Sequence, residues 1–219
     1  MIKGALFDLD GVIVDTAKYH YIAWRQLAQS LGFDFTELDN ERLKGVSRMA
    51  SLDILLEIGG LQERFSNDEK QRMATEKNDR YVSLIRQMRP DEILPGTEAF
   101  LTALHHKGIK VALGSASKNA MLILDNLRLT PLFDAIIDGT KVSKAKPDPE
   151  VFLKGAEALG LRPEECVVFE DAVAGIEAAR AGGMKCVGIG SPDVLTNADI
   201  IIDGLHEMTV EKLINLYTT

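Results

Sequence analysis

Apolar and polar positions alternate in two different rhythms along this chain. From about residue 90 onward, short apolar runs take turns with segments whose apolar positions recur every three or four residues. "IKVALGSAS" (109–117) is dominated by apolar residues and closes in Gly and Ser, the pattern of a buried strand. Helical "KNAMLILDNLRL" follows, then strand-like "FDAIID" (133–138). Next is helical "PEVFLKGAEALG" (149–160), with Gly160 placed to cap its C-terminus. "CVVFED" (166–171), helical "AVAGIEAARAGG", "KCVGIG" (185–190) and "DIIID" (199–203) complete the series, and Ile2 to Phe7 adds another central strand. Alternation of this kind predicts an α/β fold: a doubly wound, mainly parallel sheet with helices on both faces.

Residues 17 to about 88 break the rhythm, because nothing there reads as a strand. "AKYHYIAWRQLAQSLG", "SLDILLEIGG" and "SNDEKQRMATEKNDRYVSLIRQM" are helical patterns, and the last opens with Ser66 and Glu69 at capping-box spacing. The division expected is therefore an α/β core made of 1–16 and 89–219, with an all-helical domain, 17–88, inserted after the first strand.

The composition adds limits. With 46% hydrophobic residues over 219 positions, the chain can bury a sizeable core. Its formal net charge of -8 gives no basic field for sequence-independent binding to nucleic acid or an anionic membrane. Only two cysteines, Cys166 and Cys186, occur, which suggests a reducing compartment rather than a disulfide framework. Met1 leads into a strand without signal-peptide features, and no apolar run approaches membrane-spanning length. These features lead to the expectation of a cytoplasmic protein, monomeric by default.

"FDLDGVIVDT" (7–16) crowds three acids behind an apolar run. In open parallel sheets, ligands bind just beyond the carboxyl ends of the strands. Asp8 and Asp10 lie at such an end, aimed the same way if the extended conformation persists. Two like charges held there are costly unless a cation lies between them or one stays protonated. Glu170 and Asp171 end "CVVFED" in the same manner. Together the four carboxylates offer hard oxygen ligands suited to Mg²⁺. For either pair alone, a turn at Asp10-Gly11 or a helix N-cap at Glu170-Asp171 is an equal reading. Two other segments supply what a phosphoryl group needs: the Ser115 hydroxyl ends a strand near a helix start, and Lys146 sits in the stiff loop "KAKPDP".

"FDLDGVIVDT", "GSAS", "KPDP" and "FEDAVAGIEAA", in that order, resemble the four motifs of the haloacid dehalogenase superfamily across almost the whole chain. The resemblance implies a Rossmann-like core in which Asp8 is a nucleophile that takes up phosphate and Asp10 the general acid/base. It implies that Ser115, Ala116 and Lys146 hold the transferring phosphoryl group. It also implies Mg²⁺ bound by Asp8, the Asp10 carbonyl, Glu170 and Asp171. A carboxylate nucleophile splits a difficult transfer into two steps, and a metal offsets the developing charge. Asp15 receives no such role and is expected to bond locally.

In the helical insert, "TAKYHYIAW", "LKGVSR" and "KND", with "SASKN" in the core, resemble the β-phosphoglucomutase family of that superfamily. That resemblance implies a small sugar phosphate as substrate. The implied reaction interconverts β-D-glucose 1-phosphate and glucose 6-phosphate, with β-glucose 1,6-bisphosphate as intermediate; the alternative is a sugar-phosphate phosphatase of the same fold. It places Arg48 on the phosphate that is not transferred, with Ser117, Lys118 and Asn119 approaching from the core. Lys44, Gly45, Val46, Ser47 and Ser51 would line the sugar, and Lys77 and Asn78 would add polar contacts. His20 and Thr16 would couple sugar binding to the placement of Asp10. Taken by residue type alone, His20 and Trp24 are a packed helical stripe, Arg48 and Lys77 are solvated charges, and Ser47 is a helix cap. One departure from the family pattern, Gly114 where Ala is expected, is expected to matter little.

Overall fold

The computed structural model describes residues 1–43 and 46–217. Its central feature is a six-stranded sheet made of β1 (Gly4–Phe7), β2 (Lys110–Gly114), β3 (Ala135–Ile137), β4 (Cys166–Glu170), β5 (Lys185–Ile189) and β6 (Ile200–Ile202). Every pairing is parallel and the spatial order is β3-β2-β1-β4-β5-β6. The winding reverses between β1 and β4, the crevice where open sheets of this kind bind ligands. These two strands run in register, with Phe7 opposite Phe169, so Asp8 and Glu170 leave the sheet at the same level. The Phe7 and Phe169 rings stack at 4.5 Å, and Phe100 meets both edge-on. Burying a side chain of this size is worth about 1.5–3 kcal/mol, so both strand ends sit on a firm apolar floor.

Four helices cover no strands of their own: α1 (Ala17–Ser30), α2 (Glu37–Glu41), α3 (Arg48–Ile58) and α4 (Asn67–Ile85). Five more accompany the sheet: α5 (Thr97–His106), α6 (Ala120–Asn126), α7 (Glu150–Leu159), α8 (Val173–Ala181) and α9 (Val210–Asn215). The chain divides into two compact units, Met1–Asp15 with Met88–Thr219, and Thr16–Gln87. The first is α/β and the second all-helical. The helical unit has its own apolar core around Trp24, Leu27, Phe35, Leu52, Leu55, Leu56 and Ala74. Its longest helix, α4, starts with the Ser66–Glu69 capping box read from the sequence. Gly160 ends α7 in the left-handed conformation. Among the described residues, no helix is long and apolar enough to cross a membrane.

Some elements depart from the sequence pattern. The extended conformation ends at Phe7, and the chain turns at once: the N–H groups of Ile13 and Val14 both donate to the Leu9 carbonyl, at 2.9 and 3.1 Å. Period-two alternation therefore does not carry from Asp8 to Asp10. Glu170-Asp171 is not a helix cap either, since α8 begins after Ala172. Gly114 is a packing position: an added Cβ would lie 2.8 Å from the Phe152 ring. An alanine there would require the Phe152 ring to shift. Helices α2, α5 and α9 had no counterpart in the pattern.

Candidate active site

Asp8 follows β1 directly and is fixed by its own backbone, whose N–H donates to the Phe169 carbonyl at 3.0 Å. Its carboxylate is buried at 7% exposure, as is that of Glu170 at 1%. Lys146, which lies 138 residues from Asp8, resolves this clash of like charges by donating to Asp8 Oδ1 at 2.6 Å and to Glu170 Oε2 at 2.8 Å. Burial alone would push the Lys146 ammonium down; the two carboxylates outweigh it and hold the group charged. Asp8, Glu170 and Asp171 present oxygens that all lie within 4.8 Å of one another. The Asp10 side chain is outside that group, and its charge helps raise the Asp171 carboxyl after burial and Asp8.

The donor set is one that Mg²⁺ accepts: hard carboxylate oxygens in excess of the positive charge beside them. Two glycines make room for it. A Cβ on Gly175 would stand 1.9 Å from the Glu170 carboxyl carbon, and one on Gly11 would stand 2.1 Å from Asp171 Oδ2. Gly11 also has a φ of +73°, in the left-handed region that favours glycine. Neither glycine was singled out as a site residue in the sequence; for Gly175 the signal was a glycine inside a helical pattern, which costs about 1 kcal/mol relative to alanine and wants a reason, and for Gly11 it was the turn-forming Asp-Gly pair.

Ser115 is buried at the end of β2, and its N–H donates to the Ile137 carbonyl at 2.9 Å. Its Oγ accepts from Ser117 N–H at 3.1 Å, and Ser117 Oγ accepts from Asn119 N–H at 3.2 Å. A hydroxyl that accepts one bond this way still has a proton to donate. Ala116 and Lys118 are exposed between them, and α6 begins only at Ala120.

In the helical unit, Lys77 is buried at 3% exposure, against the expectation from residue type of a solvated charge. Its Nζ lies 4.3 Å from the Trp24 ring centre and 5.2 Å from that of Tyr81, two cation–π contacts. It donates to His20 Nδ1 at 2.8 Å. Because an ammonium only donates, that ring nitrogen is the acceptor and the neutral imidazole carries its proton on Nε2. Burial, then the Lys77 and Arg48 charges, hold His20 well below the usual histidine range. The His20 ring stacks on Tyr81 at 4.1 Å, so the stripe with Trp24 is packed and polar at once. Arg48 donates to Asn78 Oδ1 at 2.7 Å. Ser47 caps α3 and accepts from Ala50 N–H, Thr16 is buried, and Ser51 Oγ is 3.5 Å from the Val46 carbonyl. Lys44 and Gly45 lie outside the described residues.

Residues 2–183 match the family of haloacid dehalogenase-like hydrolases. The chain belongs to that family. It is similar to a β-phosphoglucomutase of Bacillus subtilis, 42% identical with 97% of this chain and 94% of the relative covered. A phosphorylated-carbohydrate phosphatase of Thermotoga maritima is 34% identical over 84% of this chain and 83% of its own. Among solved structures, a β-phosphoglucomutase from Clostridium difficile superposes with a TM-score of 0.93 at 45% identity, covering 100% of this chain and 98% of the other.

Proposed function

We propose that this haloacid dehalogenase-like enzyme is a Mg²⁺-dependent β-phosphoglucomutase. It would interconvert β-D-glucose 1-phosphate and glucose 6-phosphate through β-glucose 1,6-bisphosphate. The reading is carried by the likeness to β-phosphoglucomutases, which spans the helical unit as well as the sheet. The geometry supports it by supplying a group for each step. With Asp8 already carrying a phosphoryl group from the 1,6-bisphosphate, the 6-hydroxyl of β-glucose 1-phosphate would attack that phosphorus as Asp10 takes up its proton, which breaks the bond to Asp8 and gives β-glucose 1,6-bisphosphate. With the bisphosphate bound the other way round, a carboxylate oxygen of Asp8 would attack the phosphorus on O1, and that P–O bond breaks as Asp10 returns the proton to O1; glucose 6-phosphate leaves and Asp8 is phosphorylated again.

Lys146, the Ser115 hydroxyl and the Ala116 amide would hold the transferring phosphoryl oxygens. Asp8, the Asp10 carbonyl, Glu170 and Asp171 would hold Mg²⁺, which when bound supplies positive charge to the phosphoryl group. Arg48, with Ser117, Lys118 and Asn119, would bind the phosphate that stays on the sugar. Val46, Ser47, Ser51, Lys77 and Asn78, together with Lys44 and Gly45, would contact the sugar, and Thr16 and His20 would link its binding to Asp10.

A coupled assay tests the proposal. The enzyme is given β-glucose 1-phosphate, Mg²⁺ and a trace of the 1,6-bisphosphate, and glucose 6-phosphate and free phosphate are followed together. Glucose 6-phosphate formed without phosphate release, and not formed from the α-anomer, is the expected outcome. Phosphate released in step with substrate loss would make the chain a phosphatase and leave the roles on the helical unit to be reassigned.

A further inference from the structure

Lys146 reaches Asp8 and Glu170 from a turn, not from a strand or helix. The turn is closed by a single backbone bond, from Asp148 N–H to the Ala145 carbonyl at 3.0 Å. In the resting protein the two carboxylates also hold the lysine in place. That restraint changes during the proposed reaction, because a phosphoryl group joins Asp8 and the Lys146 contact to that carboxylate is remade. A side chain that must stay in place while its partner changes needs a backbone anchored by something else.

Glu150 provides that anchor. It is the first residue of α7, yet its carboxylate faces back into the loop rather than capping its own helix. Oε2 accepts from Ser143 N–H at 2.9 Å, from Ser143 Oγ at 2.9 Å and from Lys144 N–H at 2.8 Å. Oε1 pairs with Lys154 Nζ at 2.7 Å, and that same ammonium donates to the Lys141 carbonyl at 2.6 Å. On the other side of the turn, Asp148 Oδ1 accepts from Glu150 N–H at 3.0 Å. Lys146 thus rides on a short arch with both feet tied to the first turn of α7. The exposed Lys144 ammonium also pairs with Asp148 Oδ2 at 3.2 Å, but the backbone N–H groups of the N-terminal foot, those of Ser143 and Lys144, are both gathered by the Glu150 carboxylate.

We infer that Glu150 is a positioning residue for Lys146. Its Oε2 fixes the Ser143–Lys144 arm so that the lysine ammonium keeps its place through both halves of phosphoryl transfer. The inference rests on the reading of Lys146 as a phosphoryl-binding residue given above.

The test compares four single variants of the full chain, each assayed well below its own melting temperature. Glu150→Ala is expected to lower kcat about 10- to 100-fold, with KM for the sugar phosphate within about twofold of the parent. Glu150→Gln keeps an oxygen for the three loop bonds and loses only the charge pair; it is expected to restore kcat to within about threefold. Lys154→Met removes the charge pair and the Lys141 contact but leaves the three bonds to Oε2. It should lower the melting temperature while leaving kcat unchanged. Wild-type kcat in Glu150→Ala, or glutamine no better than alanine, overturns the inference. So does a kcat loss in Lys154→Met that tracks its melting temperature as it does in Glu150→Ala. Lys146→Ala separates the two levels of the argument: full turnover there would defeat the phosphoryl-binding role itself, whereas its loss beside an unaffected Glu150→Ala would defeat only the anchor.

Discussion

At the scale of single residues, the acidic cluster stores protons that a cation must displace. Burial pushes the Glu170 carboxyl up to about 8 against the pull of Lys146, with Asp8 and Asp171 adding repulsion. Burial, then the Asp8 and Asp10 charges, push Asp171 up to about 7. Both lie above their ordinary values of 4.5 and 3.8. The cation-free folded state therefore binds protons that the unfolded chain has released. The stability linked to these groups is fully present below their ordinary values and is lost as pH rises toward about 8. A bound divalent cation reverses the balance, since it favours the charged carboxylates. Mg²⁺ is accordingly expected to release about one proton on binding near pH 7, read by calorimetry in buffers of different ionisation heat. The rise in melting temperature with Mg²⁺ should grow between about pH 5.5 and 8. Binding without proton release would mean that the carboxylates are already ionised. The sequence makes the acids themselves legible, because they stand at strand ends where no core-forming residue belongs. It does not show which of them converge. Asp8, Glu170 and Asp171 come together through the register of β1 with β4, whereas the turn after Phe7 takes the Asp10 side chain elsewhere.

At the scale of elements, the sheet is closed at both edges by the same device. Asp134, just before β3, donates its N–H to the Val111 carbonyl at 2.8 Å and accepts from Val111 N–H on Oδ2 at 2.7 Å. Asp199, just before β6, does the same with the Cys186 carbonyl and N–H, at 2.8 Å each. A three-residue edge strand has few ladder bonds of its own, so an extra carboxylate bond at its first rung sets the register. Asp134→Ala and Asp199→Ala are each expected to cost about 1–3 kcal/mol, because a strand N–H is left without its acceptor. Denaturant titration measures this, and a loss of only a few tenths would show that water replaces the carboxylate. The strands were legible because β-branched and aliphatic runs bounded by Gly and Asp have few other uses. Helix α5 was not: it starts after Gly96 without a side-chain cap, so no start signal precedes it. Helix α2 has five residues, too few to show a period, although Thr36 and Asp39 do form a capping box. The pairing of His20 with Lys77 was invisible for a different reason. Each looks ordinary in its own helix, and only the packing of α1 against α4 puts the ammonium between a ring nitrogen and two aromatic faces.

At the scale of the whole molecule, the two units divide the chemistry as they divide the core. Asp8, Asp10, Ser115, Lys146, Glu170 and Asp171 belong to the sheet unit, while His20, Arg48 and Lys77 belong to the helical one. The chain leaves the sheet unit after Asp15 and re-enters it at Met88. Both crossings are tied down inside the sheet unit, where Val14 bridges antiparallel to Ile93 and Leu94 N–H donates to the Ile13 carbonyl at 2.9 Å. The apolar floor under the strand ends, Phe7, Phe100 and Phe169, also lies wholly within that unit. Replacing residues 16–87 with a short Gly-Ser linker should therefore leave a folded sheet, since the register of β1 and the ring stack at its end are both made within the sheet unit. Such a protein is expected to retain Mg²⁺-dependent hydrolysis of a small acyl phosphate within about tenfold of the parent, because the residues proposed to bind and attack a bare phosphoryl group all belong to the sheet unit. It should have no measurable mutase turnover, because the groups assigned to the sugar and to its second phosphate are gone. Circular dichroism confirms the fold, and parallel hydrolysis and mutase assays decide the rest. Retained mutase activity would move sugar recognition onto the sheet unit. A folded sheet that hydrolyses nothing would mean instead that the helical unit supplies a group the phosphoryl chemistry cannot do without.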